Sequence, residues 1–166
     1  MDQRPRPNSR SVGWKCSSCG ELITSVEDGW VEWLATEREH GTVLHGLKLI
    51  HGQAGAGNSG ARSCRHDPRA EFGKDQSLVE GLPLARFVGP DGLMLLLSFL
   101  AVGEIPKDEV LELTKRVQIP GYELTRELFD AVGMEYSAPA VMRGYYLQVE
   151  IRALLRWAMR DIKSAP

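Results

Sequence analysis

The chain has 166 residues and a mass of 18.4 kDa, enough for about one domain with a core of its own. Apolar residues make up 43% and charged residues 25%, the usual balance of a globular protein, which excludes a largely disordered chain. The 20 basic and 22 acidic side chains leave a formal charge of −2, so no global positive field drives unselective binding to nucleic acid.

The opening stretch MDQRPRPNSR holds three arginines and two prolines and no apolar segment. It reads as a flexible tail over residues 1–12, not as a secretory signal. The odd count of three cysteines fits a reducing compartment, so a cytoplasmic location is expected. The longest apolar run starts at Leu93 and reaches Val102 with one serine inside it. That is about half the ~20 residues that span a bilayer, so no membrane segment is expected.

Residues 14–51 read as β-rich. Asp28-Gly29 signals a turn, and Trp30 to Thr36 is dense in aromatic and β-branched residues. A polar stretch from Glu37 to Gly41 follows, then Thr42 to His51 with Val43, His45, Leu47, Leu49 and His51 on one parity. This pattern predicts a β-hairpin, with a helix through Trp30–Glu39 as the competing reading. Residues 52–76, glycine-rich and then broken by Pro68, read as a loop that calls for a constraint.

From residue 90 the pattern turns helical. Asp91 is expected to cap a helix running to Val102, with Gly103 as its stop. The segment is apolar almost all round, so a central, buried position is expected. Pro106 and Pro120 suit the first turns of helices over about 106–117 and 120–132. A last helix, about 139–163, carries Leu147, Ile151, Leu154, Ala158 and Ile162 as a core stripe.

The sharpest chemical signal is Cys16-Ser17-Ser18-Cys19-Gly20. A Cys-x-x-Cys turn aims two thiolates at one ion, and the glycine relieves the tight backbone. Tetrahedral zinc takes four N or S ligands. Cys64 supplies the third sulfur. The fourth ligand is a histidine: His51, which ends the second strand, is preferred, and His66, in a Cys-x-His pair with Cys64, is the alternative. His45 lies about 20 Å of strand from His51 and should not reach the same ion. The order of Cys-x-x-Cys, hairpin, then His and Cys over residues 14–67 resembles zinc-ribbon-like modules, although the second ligand pair is spread over a long loop. The resemblance implies a hairpin stapled by Zn2+. A closed Cys3His site is structural more often than catalytic.

Other signals weigh less. Gly55-Ala56-Gly57-Asn58-Ser59-Gly60 matches a dinucleotide fingerprint literally, but Pro68 follows too soon for the helix that chemistry needs. Cys64, His66 and Asp67 are too close in sequence to form a hydrolytic triad. Glu109, Glu112, Glu123 and Glu127 read as solvated helix faces. Trp14, Trp30 and Trp33 read as a small core shielding the metal. Arg152, Arg156, Arg160 and Lys163 form a basic stripe that is either a solvated face or a contact for an acidic partner.

These readings combine into an α+β protein. A zinc-stapled β-hairpin module at 13–75 packs on a helical part of about four helices at 76–166. The expected function is non-enzymatic, a zinc-containing adaptor or protein-interaction protein with no catalytic residue assigned. The alternatives are a nucleic-acid-associated regulator, using the tail, Arg62, Arg65, Arg69 and the terminal stripe, and a zinc-dependent hydrolase using His66 or Asp67 beside an open metal.

Overall fold

The computed structural model describes residues 13–52, 64–132 and 144–164. The chain is α+β. Strands β1 (Trp14–Lys15) and β2 (Leu22–Ile23) form a small antiparallel pair. Strands β3 (Gly29–Arg38) and β4 (Gly41–His51) form the long hairpin, and β5 (Leu78–Pro83) adds antiparallel to β3, giving the order β4-β3-β5. Five α-helices lie among the described residues: α1 (Pro68–Asp75), α2 (Gly89–Val102), α3 (Lys107–Gln118), α4 (Tyr122–Val132) and α5 (Gln148–Ser164). None is long and apolar enough to cross a membrane.

The hairpin forms where the sequence predicts it, with a tighter turn. Arg38 pairs with Gly41, so only Glu39 and His40 lie between the strands. Glu32 pairs with Lys48 but Leu34 pairs with His45, which leaves one extra residue on β4. Gly46, at φ +68°, sits in this bulge, a conformation open to a residue without Cβ. The bulge overturns the parity argument: His45 and His51 fall on opposite faces of the sheet. His45 Nε2 instead lies 3.1 Å from Thr36 Oγ1.

Both faces of β3 are covered. One face carries Val31, Trp33 and Ala35, all buried, and Trp33 meets Phe99 of α2 edge-on at 5.8 Å. The opposite face carries Glu32, Leu34 and Thr36, also buried, beneath the segment that starts at Cys64. The outer edge of β4 is satisfied by other segments, because Leu44 N donates to Glu104 O and Leu47 N to the Glu109 carboxylate. An edge strand is protected in this way from pairing with another chain.

Three expectations need correction. Part of the stretch read as loop is helix: α1 begins at Pro68, capped by Asp67, whose side chain accepts from Arg69 N and Ala70 N. Pro at the first turn starts this helix instead of ending one. Strand β5 lies within the stretch read as helical, held by its long-range ladder with β3. Helix α2 starts two residues before Asp91, with no side-chain cap, and it is not central: of its residues only Gly92 and Leu96 are buried. Gly103 does end it, at φ +76°. The expected start of the last helix, at 139, lies outside the described residues. Trp14, Trp30 and Trp33 do join the core that contains Cys16 and Cys64.

Candidate metal centre

Four side chains from three separate segments converge. The Cys16, Cys19 and Cys64 sulfurs and one His51 nitrogen all lie within 4.8 Å of one another. His51 Nδ1 is 3.6 Å from Cys19 Sγ and 3.8 Å from Cys64 Sγ. A tetrahedral zinc with bonds of about 2.3 Å to sulfur and 2.0–2.1 Å to nitrogen sets its S···N edges near 3.6 Å. The group is compatible with holding a metal ion. No disulfide joins the three cysteines; Cys16 and Cys64 are buried and Cys19 is exposed.

The local backbone explains the convergence. Cys16 N donates to Glu21 O and Gly20 N to Cys16 O, closing a knuckle, with Gly20 at φ +79° where the chain reverses. The knuckle then pairs with the outer edge of β4. Ser17 N donates to Leu49 O at 2.8 Å and Leu49 N to Ser17 Oγ at 3.3 Å. This edge contact sets Cys16 and Cys19 beside His51, two residues further along β4. His51 Nε2 lies 3.4 Å from Leu22 O. A proton on Nε2 leaves the Nδ1 lone pair facing the sulfurs, as a metal-binding imidazole requires.

Cys64 is carried in by a different anchor. Glu32, fully buried, accepts from His66 N at 2.6 Å and from Arg65 Nε at 3.0 Å. Arg65 also lies over the Trp30 ring, 5.5 Å from its centroid. Ser18 Oγ donates to Cys64 O at 2.7 Å, tying this segment to the knuckle. Arg65, half-buried, is therefore engaged by Glu32 and Trp30.

The knuckle is also fastened to the helices. Arg116 of α3 donates to Ser17 Oγ at 2.9 Å and to Lys15 O. Glu123 of α4 accepts from Lys15 N at 2.7 Å, and Glu127 pairs with Lys15 Nζ at 2.7 Å. Glu123 is thus buried in an ion pair with Arg116, and Glu109 holds β4; neither is the solvated side chain its helical position suggested. Arg116 and Glu123 are partners of the site that sequence reasoning missed. Nothing in a local pattern marks a contact that spans about a hundred residues.

The electrostatics set the thiols against one another. Burial acts to raise the Cys16 thiol, but hydrogen bonds from the backbone of Cys19, Ser18 and His51 and from the Cys19 side chain bring it down to about 6. Cys64 is pushed up to about 12, first by burial and then by its contacts with Cys19 and Cys16 and their negative charge. Adjacent sulfurs cannot all ionise without a cation between them, and a divalent ion reverses that penalty.

The alternative fourth ligand lies elsewhere. His66 Nε2 is 3.4 Å from Gly46 O, and its Nδ1 is 3.7 Å from Glu71. Asp67 is used as the cap of α1. Arg62 and the Gly55–Gly60 stretch lie outside the described residues. In comparisons with known proteins, the chain matches no family model, no curated protein and no solved structure.

Proposed function

We propose that Cys16, Cys19, His51 and Cys64 bind one Zn2+ as a structural site, and that the chain is a non-enzymatic adaptor or protein-interaction module. The observation that carries this reading is the approach of three sulfurs and a nitrogen, drawn from the knuckle, the end of β4 and the segment before α1, to within 4.8 Å. Thiolate-rich donor sets select zinc over hard cations such as Mg2+ or Ca2+. Four protein ligands fill a tetrahedral ion and leave no position for the water that a zinc hydrolase activates. Two carboxylates that hold the site's segments are committed to the frame: Glu32 to Arg65 and His66, Glu123 to Arg116 and Lys15.

A second reading has one observation in its favour. Arg152, Arg156 and Arg160 lie exposed along α5, as contact with nucleic acid would require. Titration with an oligonucleotide at two salt concentrations separates the readings, because phosphate contacts give an affinity that falls steeply with salt.

The deciding experiment is the metal content of purified protein, measured for wild type and for Cys16→Ser, Cys64→Ser, His51→Ala and His66→Ala. One zinc per chain is expected in wild type and in His66→Ala, with loss in the other three. Retention in His51→Ala with loss in His66→Ala overturns the ligand set.

A further inference from the structure

The three sulfurs of the group are not equally sheltered. Cys16 and Cys64 are 3% and 1% exposed, whereas Cys19 lies open to solvent. Cys19 is therefore the sulfur that a dissolved oxidant meets first, and a buried sulfur, that of Cys16, lies within 4.8 Å of it. The turn that carries both is closed by its own backbone. Gly20 N donates to Cys16 O at 3.0 Å and Cys16 N to Glu21 O at 2.8 Å. Residues three apart in a tight turn keep their Cα atoms within about 7 Å, the reach of a disulfide. The place of the turn in the fold is also set without the sulfurs: Ser17 N bonds Leu49 O, Arg116 bonds Ser17 Oγ and Glu123 bonds Lys15 N. Cys64 differs, because it comes from a segment anchored separately on Glu32. An accessible thiolate beside a sheltered second cysteine is the arrangement that oxidants convert to a disulfide.

We propose, on the basis of the zinc reading above, that the knuckle is a redox switch for its metal: a peroxide oxidises Cys19, Cys16 closes a disulfide on it, and the ion leaves. Zinc holds both sulfurs as thiolates. The Cys19 thiolate attacks one oxygen of hydrogen peroxide, breaks the O–O bond and becomes a sulfenic acid, releasing hydroxide. The Cys16 thiolate then attacks the Cys19 sulfur. The S–S bond forms, the S–O bond breaks and a second hydroxide departs. Two solvent protons convert the hydroxides to water, and two electrons pass from the sulfurs to one peroxide. The ion is left with Cys64 and His51, half of a tetrahedral set, and with no bond to the knuckle. The disulfide spans only the turn, so the knuckle keeps its seat on β4 and α3 while its link through the ion to Cys64 and His51 is cut. A dithiol reductant reverses the step by exchange, and the seated turn then offers both thiolates to zinc again.

The test is a titration of the full, zinc-loaded chain with hydrogen peroxide, in the presence of a weak chromophoric chelator that reports released zinc. Zinc should appear in step with peroxide consumed, one ion per molecule of peroxide. Alkylation of the remaining thiols, followed by peptide mass mapping, should find Cys16 joined to Cys19 and Cys64 alkylated. Dithiothreitol and fresh zinc should restore the starting metal content. Zinc retained under a few-fold excess of peroxide overturns the switch and leaves the zinc reading standing. So does a disulfide that includes Cys64, or Cys19 oxidised with no disulfide formed. A chain that carries no zinc before peroxide is added overturns the zinc reading, and the switch with it.

Discussion

Arg116 and Glu123 meet in a two-pronged contact, Nε to Oε2 and Nη2 to Oε1, both at 2.8 Å, with both side chains buried. The same two residues reach the backbone of Lys15, one through its carbonyl and the other through its N–H. A single ion pair therefore seats the cysteine knuckle on α3 and α4. Removing one partner of a buried pair costs about 3–5 kcal/mol when the other charge is left alone; here Arg126 Nε, 3.3 Å from Glu123, still faces the carboxylate and holds the loss to the lower end of that range. Arg116→Ala should show that loss in urea unfolding of the metal-bound chain. A change under about 1 kcal/mol would mean that the pair contributes no net seating.

Removal of the metal should unfold the front of the molecule before the rest. Structural zinc contributes folding free energy directly, about 10–16 kcal/mol of apparent binding in small modules. A chelator should lower the melting temperature and raise amide exchange in Trp14–Ile23, while α2 and α3 keep their protection. Identical melting with and without chelator would contradict this.

Glu32 supports Cys64 without touching a sulfur. Glu32→Gln keeps the shape but weakens two hydrogen bonds to a charged acceptor, worth about 1.5–3 kcal/mol each. Zinc affinity in a competition titration should fall about 10–100-fold, the usual effect of losing a supporting partner. Arg65→Ala should give at least as large a loss, since it leaves the buried Glu32 carboxylate facing His66 N without its cation.

Glu112 gives the α3–α4 surface a pH dependence. Burial raises its carboxyl, but Lys115, Tyr122 and Arg126 outweigh this and hold it below its ordinary value of 4.5. A lowered folded-state pKa stabilises above the unfolded value and is lost as pH falls through the folded value. The stability difference between wild type and Glu112→Gln should therefore be full at neutral pH and close in acid below pH 4.5. A difference that is constant with pH would remove the carboxylate from the account.

Gly92 lies in α2 where a Cβ would collide with the carbonyl carbon and oxygen of Phe87. Gly92→Ala should destabilise by about 1–3 kcal/mol through overpacking, despite the better helix propensity of alanine. Thermal melting that rises instead would show that the 87–92 turn can yield.

Much of this was legible in the residues, for local reasons. The Cys-x-x-Cys spacing, the position of His51 at a strand end and the alternation around Trp30 are short-range signals. They anticipated the hairpin and the four side chains that come together. The parity of β4 was not legible, because the bulge at Gly46 changes sides without changing composition. Helix α1 has few apolar residues to give it a period, and its true signal, Asp67 followed by Pro68, reads equally as a loop. Strand β5 contains Gly81 and ends on Pro83, and it exists through pairing with β3, far away in sequence. Uniform apolarity misled at α2. It does not say how much of a helix the fold covers.

The bond from Arg116 to Ser17 spans 99 positions of the chain. During synthesis, both thiols of the knuckle leave the ribosome long before the guanidinium that braces them. At about 5–20 residues per second that interval lasts on the order of five to twenty seconds. A nascent chain halted ahead of α3 would already display its ligands, yet it would lack the seat that orients them.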